Sequence, residues 1–165
     1  MPLTPYKHQQ EAIDAVISWI KRSTDPCLID ASCGAGKSII VAEIARLVSE
    51  MSGKKVLCLA PSGELTDQNE KAFLLTGLPC SVFCADLGRK ETKHSVIFGT
   101  PISVINSIKK FSDFSAIIYD EGDGLSKTFL SIVSEMRKSN NNIRVIGMTG
   151  TPYIPNTGYI YENHF

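Results

Sequence analysis

No apolar run in this sequence approaches the roughly 18 to 20 residues that a membrane-spanning helix requires. The opening MPLTPYKHQQ lacks the apolar middle of a signal peptide, so the expectation is a cytoplasmic location with no membrane partner. An excess of charge is missing too. Seventeen Lys+Arg balance seventeen Asp+Glu, so no net basic field announces nucleic acid, although a neutral total can hide a basic stripe. The five cysteines form no metal signature: Cys80 and Cys84 lack Cys or His partners at zinc spacing, Cys27 and Cys58 fall in apolar runs, and Cys33 falls in a loop. Buried free thiols are the reading. Repeats, low-complexity tracts and long linkers are also lacking; the last change of composition is the Pro/Gly/Asn-rich piece at 152–158.

What is present is a chain of 165 residues, 43% hydrophobic and 21% charged, enough for one globular domain with a real core. Ile13, Val16, Ile17 and Ile20 recur at helical spacing, which predicts a helix over 9–21. Strands are predicted at 27–30, 55–60, 80–84, 96–98, 116–120 and 143–148, alternating with helices at 37–51, 64–76, 102–109 and about 125–138. Strands such as VLCLA, SAIIYD and IRVIGM are near-continuously apolar, as expected where helices cover both faces of a parallel sheet. The fold class is therefore α/β, three layers with a mainly parallel sheet. Ligands of such sheets gather beyond the carboxyl ends of the strands, where the unusual residues of this sequence also lie.

One of those places reads ASCGAGKS. It is the phosphate-binding pattern G-x-x-x-x-G-K-[ST] with Ala31 in place of the first glycine. The chemistry tolerates the change, because the loop works through successive backbone N–H groups, here from Ser32, Cys33, Gly34, Ala35 and Gly36, and through the positive end of the following helix. Lys37 is expected to reach the β and γ phosphates and Ser38 to ligate Mg²⁺. A second place is YDEGD, at the end of the strand predicted at 116–120. Asp120 is placed to hold the Mg²⁺ shell, and Glu121 to orient and deprotonate the attacking water. The remaining basic cluster, Arg89, Lys90, Lys93 and His94, is either a solvated loop or part of a basic track.

In order along the chain stand KHQQEA, ASCGAGKS, LAPSGELTDQ, FGTP, YDEGD and MTGTP. With these motifs the sequence resembles the first, ATP-binding RecA-like domain of a superfamily 2 helicase over nearly its whole length. Within the superfamily it is most similar to bacterial RadD-like (YejH-like) DNA repair helicases and to type I and type III restriction motor subunits. The resemblance implies a RecA-like P-loop NTPase fold with ATP and Mg²⁺. It implies that Gln9 reads adenine with His8 flanking it, and that Lys37 and Glu121 act in catalysis while Ser38 and Asp120 hold the metal. Pro61, Ser62 and Gly63, with Gly99, Thr100 and Pro101, match loops that touch the nucleic-acid backbone, and Thr149 and Thr151 match the motif coupling nucleotide to nucleic acid. Tyr6 stands where the family has an arginine, Gly63 where a basic residue is common, and Asp123 where the RadD-like and restriction groups have histidine.

The implied partner is DNA, with RNA the weaker alternative, and a second RecA-like domain supplying an arginine finger. We expect that domain beyond Phe165, the 165 residues being a fragment that binds ATP yet turns it over slowly, since such a finger is worth about 10³ to 10⁵ in rate. A small-molecule kinase would call for an arginine-rich lid, and Arg137 and Arg144 are the arginines of the last third. A non-catalytic nucleotide-gated module is the other alternative.

Overall fold

The computed structural model describes residues 3–32, 34–120, 126–150 and two short strands at 153–154 and 158–159. The elements follow in the order α1 (Lys7–Arg22), β1 (Cys27–Asp30), α2 (Lys37–Ser52), β2 (Lys55–Leu59), α3 (Gly63–Leu74), β3 (Ser81–Cys84), β4 (Arg89–Lys90), β5 (Val96–Gly99), α4 (Pro101–Ile105), β6 (Phe114–Asp120), α5 (Lys127–Ser139) and β7 (Arg144–Thr149). A last pair, β8 (Tyr153–Ile154) and β9 (Gly158–Tyr159), runs antiparallel outside the main sheet.

The main sheet has seven strands in the order β1-β7-β6-β2-β5-β3-β4, all parallel except β4 against β3. β7 and β6 are thus inserted between β1 and β2, and their carboxyl ends come to lie between the loops that follow those strands.

Side chains alternate faces along each strand, and the core divides accordingly. Cys27, Ile29, Val56, Cys58, Ala116 and Ile118 meet Ile13, Val16, Ile40, Val41, Ile44 and Phe73 of α1, α2 and α3. Leu57, Leu59, Ile117, Tyr119 and Val145 meet Phe129, Ile132 and Met136 of α5. A register shift between Lys55 and Val56 opposes the former to Phe114 and the latter to Ala116. The extra residue rotates Phe114 onto the face of Ile117, where it packs 5.6 Å from Phe111.

The predicted elements are all found, with one interruption: the helix over 102–109 is instead α4 followed by a separate 3₁₀ turn at Ile108–Lys110. Strand β4 had no counterpart in the sequence reading. No helix among the described residues is long and apolar enough to cross a membrane.

Candidate functional site

The strand order brings three carboxyl ends side by side: the loop after β1, Thr149 closing β7 and Asp120 closing β6. Asp30 pairs with Thr149 and Asp120 with Met148. The Ala31 N–H donates to the Thr149 carbonyl at 2.9 Å, so the chain entering the loop after β1 is tied by its backbone to Thr149, the threonine matched to the coupling motif. Thr149 and Asp120 are both buried.

Within the loop, Gly34 and Gly36 have φ of +85° and +74°, left-handed values that L side chains rarely adopt. A Cβ on Gly36 would also collide with the amide nitrogen of Gln9. The Ala35 N–H turns back to the Ser32 carbonyl at 3.1 Å. Helix α2 then starts at Lys37 with no side-chain cap. The positive end of its dipole lies at the loop and suits an anion.

Gln9 sits behind this loop. It is 3% exposed; its Oε1 accepts from the Tyr6 N–H at 2.8 Å and its Nε2 donates to the Ala35 carbonyl at 2.9 Å. The His8 ring nitrogen lies 3.3 Å from the same carbonyl, and the His8 and Tyr6 rings stack with centroids 6.1 Å apart. The amide assigned to adenine is thus engaged with the loop itself, and Tyr6, 73% exposed, offers the open aromatic face.

Two side chains that the motif reading passed over reach the residues assigned to Mg²⁺. Gln68 Nε2 donates to Ser38 Oγ at 3.2 Å, and Asn69 Nδ2 donates to Asp120 Oδ2 at 3.0 Å. Both come from α3, within the ELTDQN run. A signal existed: Asn69 falls at helical spacing among the buried Thr66, Ala72 and Phe73, and a polar side chain on a helix's buried face needs a partner.

The residues matched to nucleic-acid contacts divide by burial. Pro61 is exposed, and Ser62, half-buried, caps α3 by accepting from the Leu65 N–H at 3.2 Å. Gly63 is buried, and a Cβ there would press on Asp86 at 3.2 Å. Gly99 is buried where β5 passes β3 so closely that a Cβ would lie 2.6 Å from the Phe83 carbonyl oxygen. The Thr100 hydroxyl donates to Ser103 Oγ at 3.0 Å, which in turn accepts from the Ala85 N–H at 2.9 Å. Pro61 and Thr100 nevertheless line one open groove with Asp86, Pro101, Ile102 and Ser126. Arg89, from the basic cluster, is held by Glu70 at 2.8 Å and Glu91 at 2.9 Å. Cys33, Glu121, Asp123 and Thr151 lie outside the described residues.

Burial pushes the Cys27 thiol up to about 12. Cys58, beneath the site, is raised well above the ordinary thiol range by burial first, and then by the neighbouring Cys80 and Asp120 charges. Among the described residues no group of His, Cys, Asp or Glu could hold a metal unaided. The donor set at the strand ends nonetheless suits Mg²⁺ that brings its own phosphate and water ligands: a serine hydroxyl and a carboxylate are hard oxygens. Asn69 Oδ1 is buried without a hydrogen-bond partner among the described residues, an acceptor that a metal-bound water can satisfy.

The family described as "Type III restriction enzyme, res subunit" matches residues 2–154. The chain belongs to that family. Among solved structures, this ResIII-family domain is similar to the UvsW helicase from bacteriophage T4, with a TM-score of 0.77 and 22% identity over 98% of this chain and 59% of that one. The Pyrococcus furiosus Hef helicase domain follows with a TM-score of 0.72 and 27% identity over 92% of this chain and 34% of that one. The type ISP restriction-modification enzyme LlaGI, solved with a DNA substrate mimic, has a TM-score of 0.66 and 22% identity over 98% of this chain and 18% of that one. The ResIII-family domain therefore spans from about a fifth to three fifths of those chains. No curated protein matches it significantly by sequence. Its fold is the RecA-like domain of superfamily 2 helicases, as the sequence reading expected.

Proposed function

We propose that this ResIII-family domain binds Mg-ATP and works as the motor half of a DNA-dependent helicase or translocase, with a second RecA-like domain as its partner. The observation that carries the proposal is the adjacency of the phosphate loop, Thr149 and Asp120 at neighbouring strand ends, with loop and threonine joined by the Ala31–Thr149 hydrogen bond. In this reading the backbone N–H groups left open along the loop at 32–36 cradle the phosphates, and the Lys37 ammonium draws the β and γ oxygens. Ser38 and Asp120 hold the metal, which when bound offsets charge on the transferred phosphoryl group. Glu121, one residue past Asp120, orients the attacking water. The Ala31–Thr149 bond then conveys the state of the loop to the MTGTP segment, and from there toward nucleic acid.

DNA is the proposed track, supported by the DNA substrate mimic bound to LlaGI. A repair role follows from the RadD-like texture of the motifs. A restriction motor is the second reading, favoured by the family's own description and by the type ISP structures.

The test is steady-state ATP hydrolysis by the chain joined to its second domain, with no nucleic acid, single-stranded, duplex or forked DNA, or RNA, each beside a Lys37→Ala control. Stimulation by a DNA form and its loss in the control are expected. Flat rates that do not depend on Lys37 would contradict the motor, and stimulation by RNA alone would contradict the track.

A further inference from the structure

We infer that Gln68 and Asn69 of α3 are positioning residues for the metal ligands Ser38 and Asp120, so that metal affinity at the nucleotide site is set partly from α3. The inference rests on the reading of Ser38 and Asp120 as the Mg²⁺-holding pair.

Asn69 is 1% exposed. Its Nδ2–H donates to Asp120 Oδ2 at 3.0 Å, and because an ionised carboxylate only accepts, the amide must face it with nitrogen rather than oxygen. That choice leaves Oδ1 as a buried acceptor with no partner among the described residues. Such an atom is costly unless a donor arrives, and beside a metal-holding carboxylate the waters of the hydrated cation are donors of the right kind. Asn69 thus fixes the rotamer of Asp120 and keeps an acceptor ready for the ion's hydration shell. Gln68 does the corresponding work on the other ligand: its amide donates to Ser38 Oγ at 3.2 Å and leaves the remaining hydroxyl lone pair to the metal.

The next residue fixes the helix that carries both amides. Glu70, 8% exposed, binds Arg89 Nη1 at 2.8 Å, and Arg89 is held in turn by Glu91. Three consecutive residues therefore tie α3 to the start of α2, the end of β6 and strand β4. A packing role alone would not need amides at 68 and 69; Leu at 69 would fill the same space.

The 165-residue chain with Asn69→Leu, and separately with Gln68→Ala, tests this using Mn²⁺ as a paramagnetic stand-in for Mg²⁺. Electron paramagnetic resonance reads Mn²⁺ affinity in the presence of ADP, and a fluorescent ADP analogue reads nucleotide affinity in EDTA. Partners behind metal ligands typically cost about 10- to 100-fold in metal affinity when removed. The expected result is a loss in that range for Asn69→Leu and a smaller one for Gln68→Ala, with nucleotide affinity in EDTA unchanged. Wild-type Mn²⁺ affinity in both variants overturns the inference, and so does an equal fall of nucleotide and metal binding, which would mark a merely structural role. If Asn69→Leu does not fold, the exposed Gln68→Ala decides by the same readings. An unmodified chain that binds no ADP under either condition overturns the nucleotide-site reading itself, and the inference with it.

Discussion

At Gln9 the amide oxygen holds the Tyr6 N–H and the amide nitrogen holds the Ala35 carbonyl, directly behind the loop that Gly36 closes. Sequence could supply a glutamine in the right motif; it could not supply the direction in which the amide points, which depends on α1 packing against the start of α2. As placed, Gln9 braces the loop. Gln9→Ala is expected to lower unfolding free energy by about 1–3 kcal/mol, two hydrogen bonds' worth, in urea titrations. If bracing is its whole role, the same change weakens ATP and GTP binding by the same factor; a loss confined to ATP would instead support adenine reading by Gln9. Among the described residues the cysteines, read as buried free thiols, form no disulfide, with Cys27, Cys58 and Cys84 buried and Cys80 half-buried. Burial lifts Cys27 and Cys80 from an ordinary 9.0 to about 12. Because their folded pKa lies above the unfolded one, the stability they contribute is complete below pH 9 and lost as pH climbs toward 12. Thermal melts should therefore fall progressively above pH 9, and a melting temperature flat from pH 8 to 11 would contradict this.

Among the elements, those with a strong period or a long apolar run were legible, and those set by tertiary contact were not. Helix α1 shows its Ile13, Val16 and Ile20 stripe, and β6 and β7 show unbroken apolar runs. β4 is two residues long and rests on pairing with β3, with Arg89 held by Glu70 and Glu91, none of which has a local signature. Helix α4 stops at Ile105 with Asn106 as its cap, although apolar spacing continues to Ile108. Gly99 shows the same division. Its place in FGTP suggested a contact loop; what the fold adds is that its missing side chain is required by the Phe83 carbonyl of β3. Gly99→Ala should cost about 1–3 kcal/mol of stability, the usual range for overpacking, while leaving nucleotide affinity unchanged. A fully stable variant would mean that β3 and β5 can move apart at no cost.

For the molecule as a whole, the sheet order β1-β7-β6-β2 turns separate motifs into one site. The loop sequence and the acidic strand end were readable one at a time because their chemistry is local: glycines beside a lysine, a carboxylate after an apolar run. The links between them were not readable, since Ala31 to Thr149, Gln68 to Ser38 and Asn69 to Asp120 each join residues distant in sequence. The proposed motor requires that this joined site take Mg-ATP through Lys37. The most direct measurement is calorimetric titration of ATP with Mg²⁺ into the 165-residue chain and into Lys37→Ala. Saturable binding that falls about tenfold or more on removing the ammonium is predicted, since a charge-assisted hydrogen bond contributes roughly 1.5–3 kcal/mol. Equal affinity in the two proteins, or no binding by either, would contradict it.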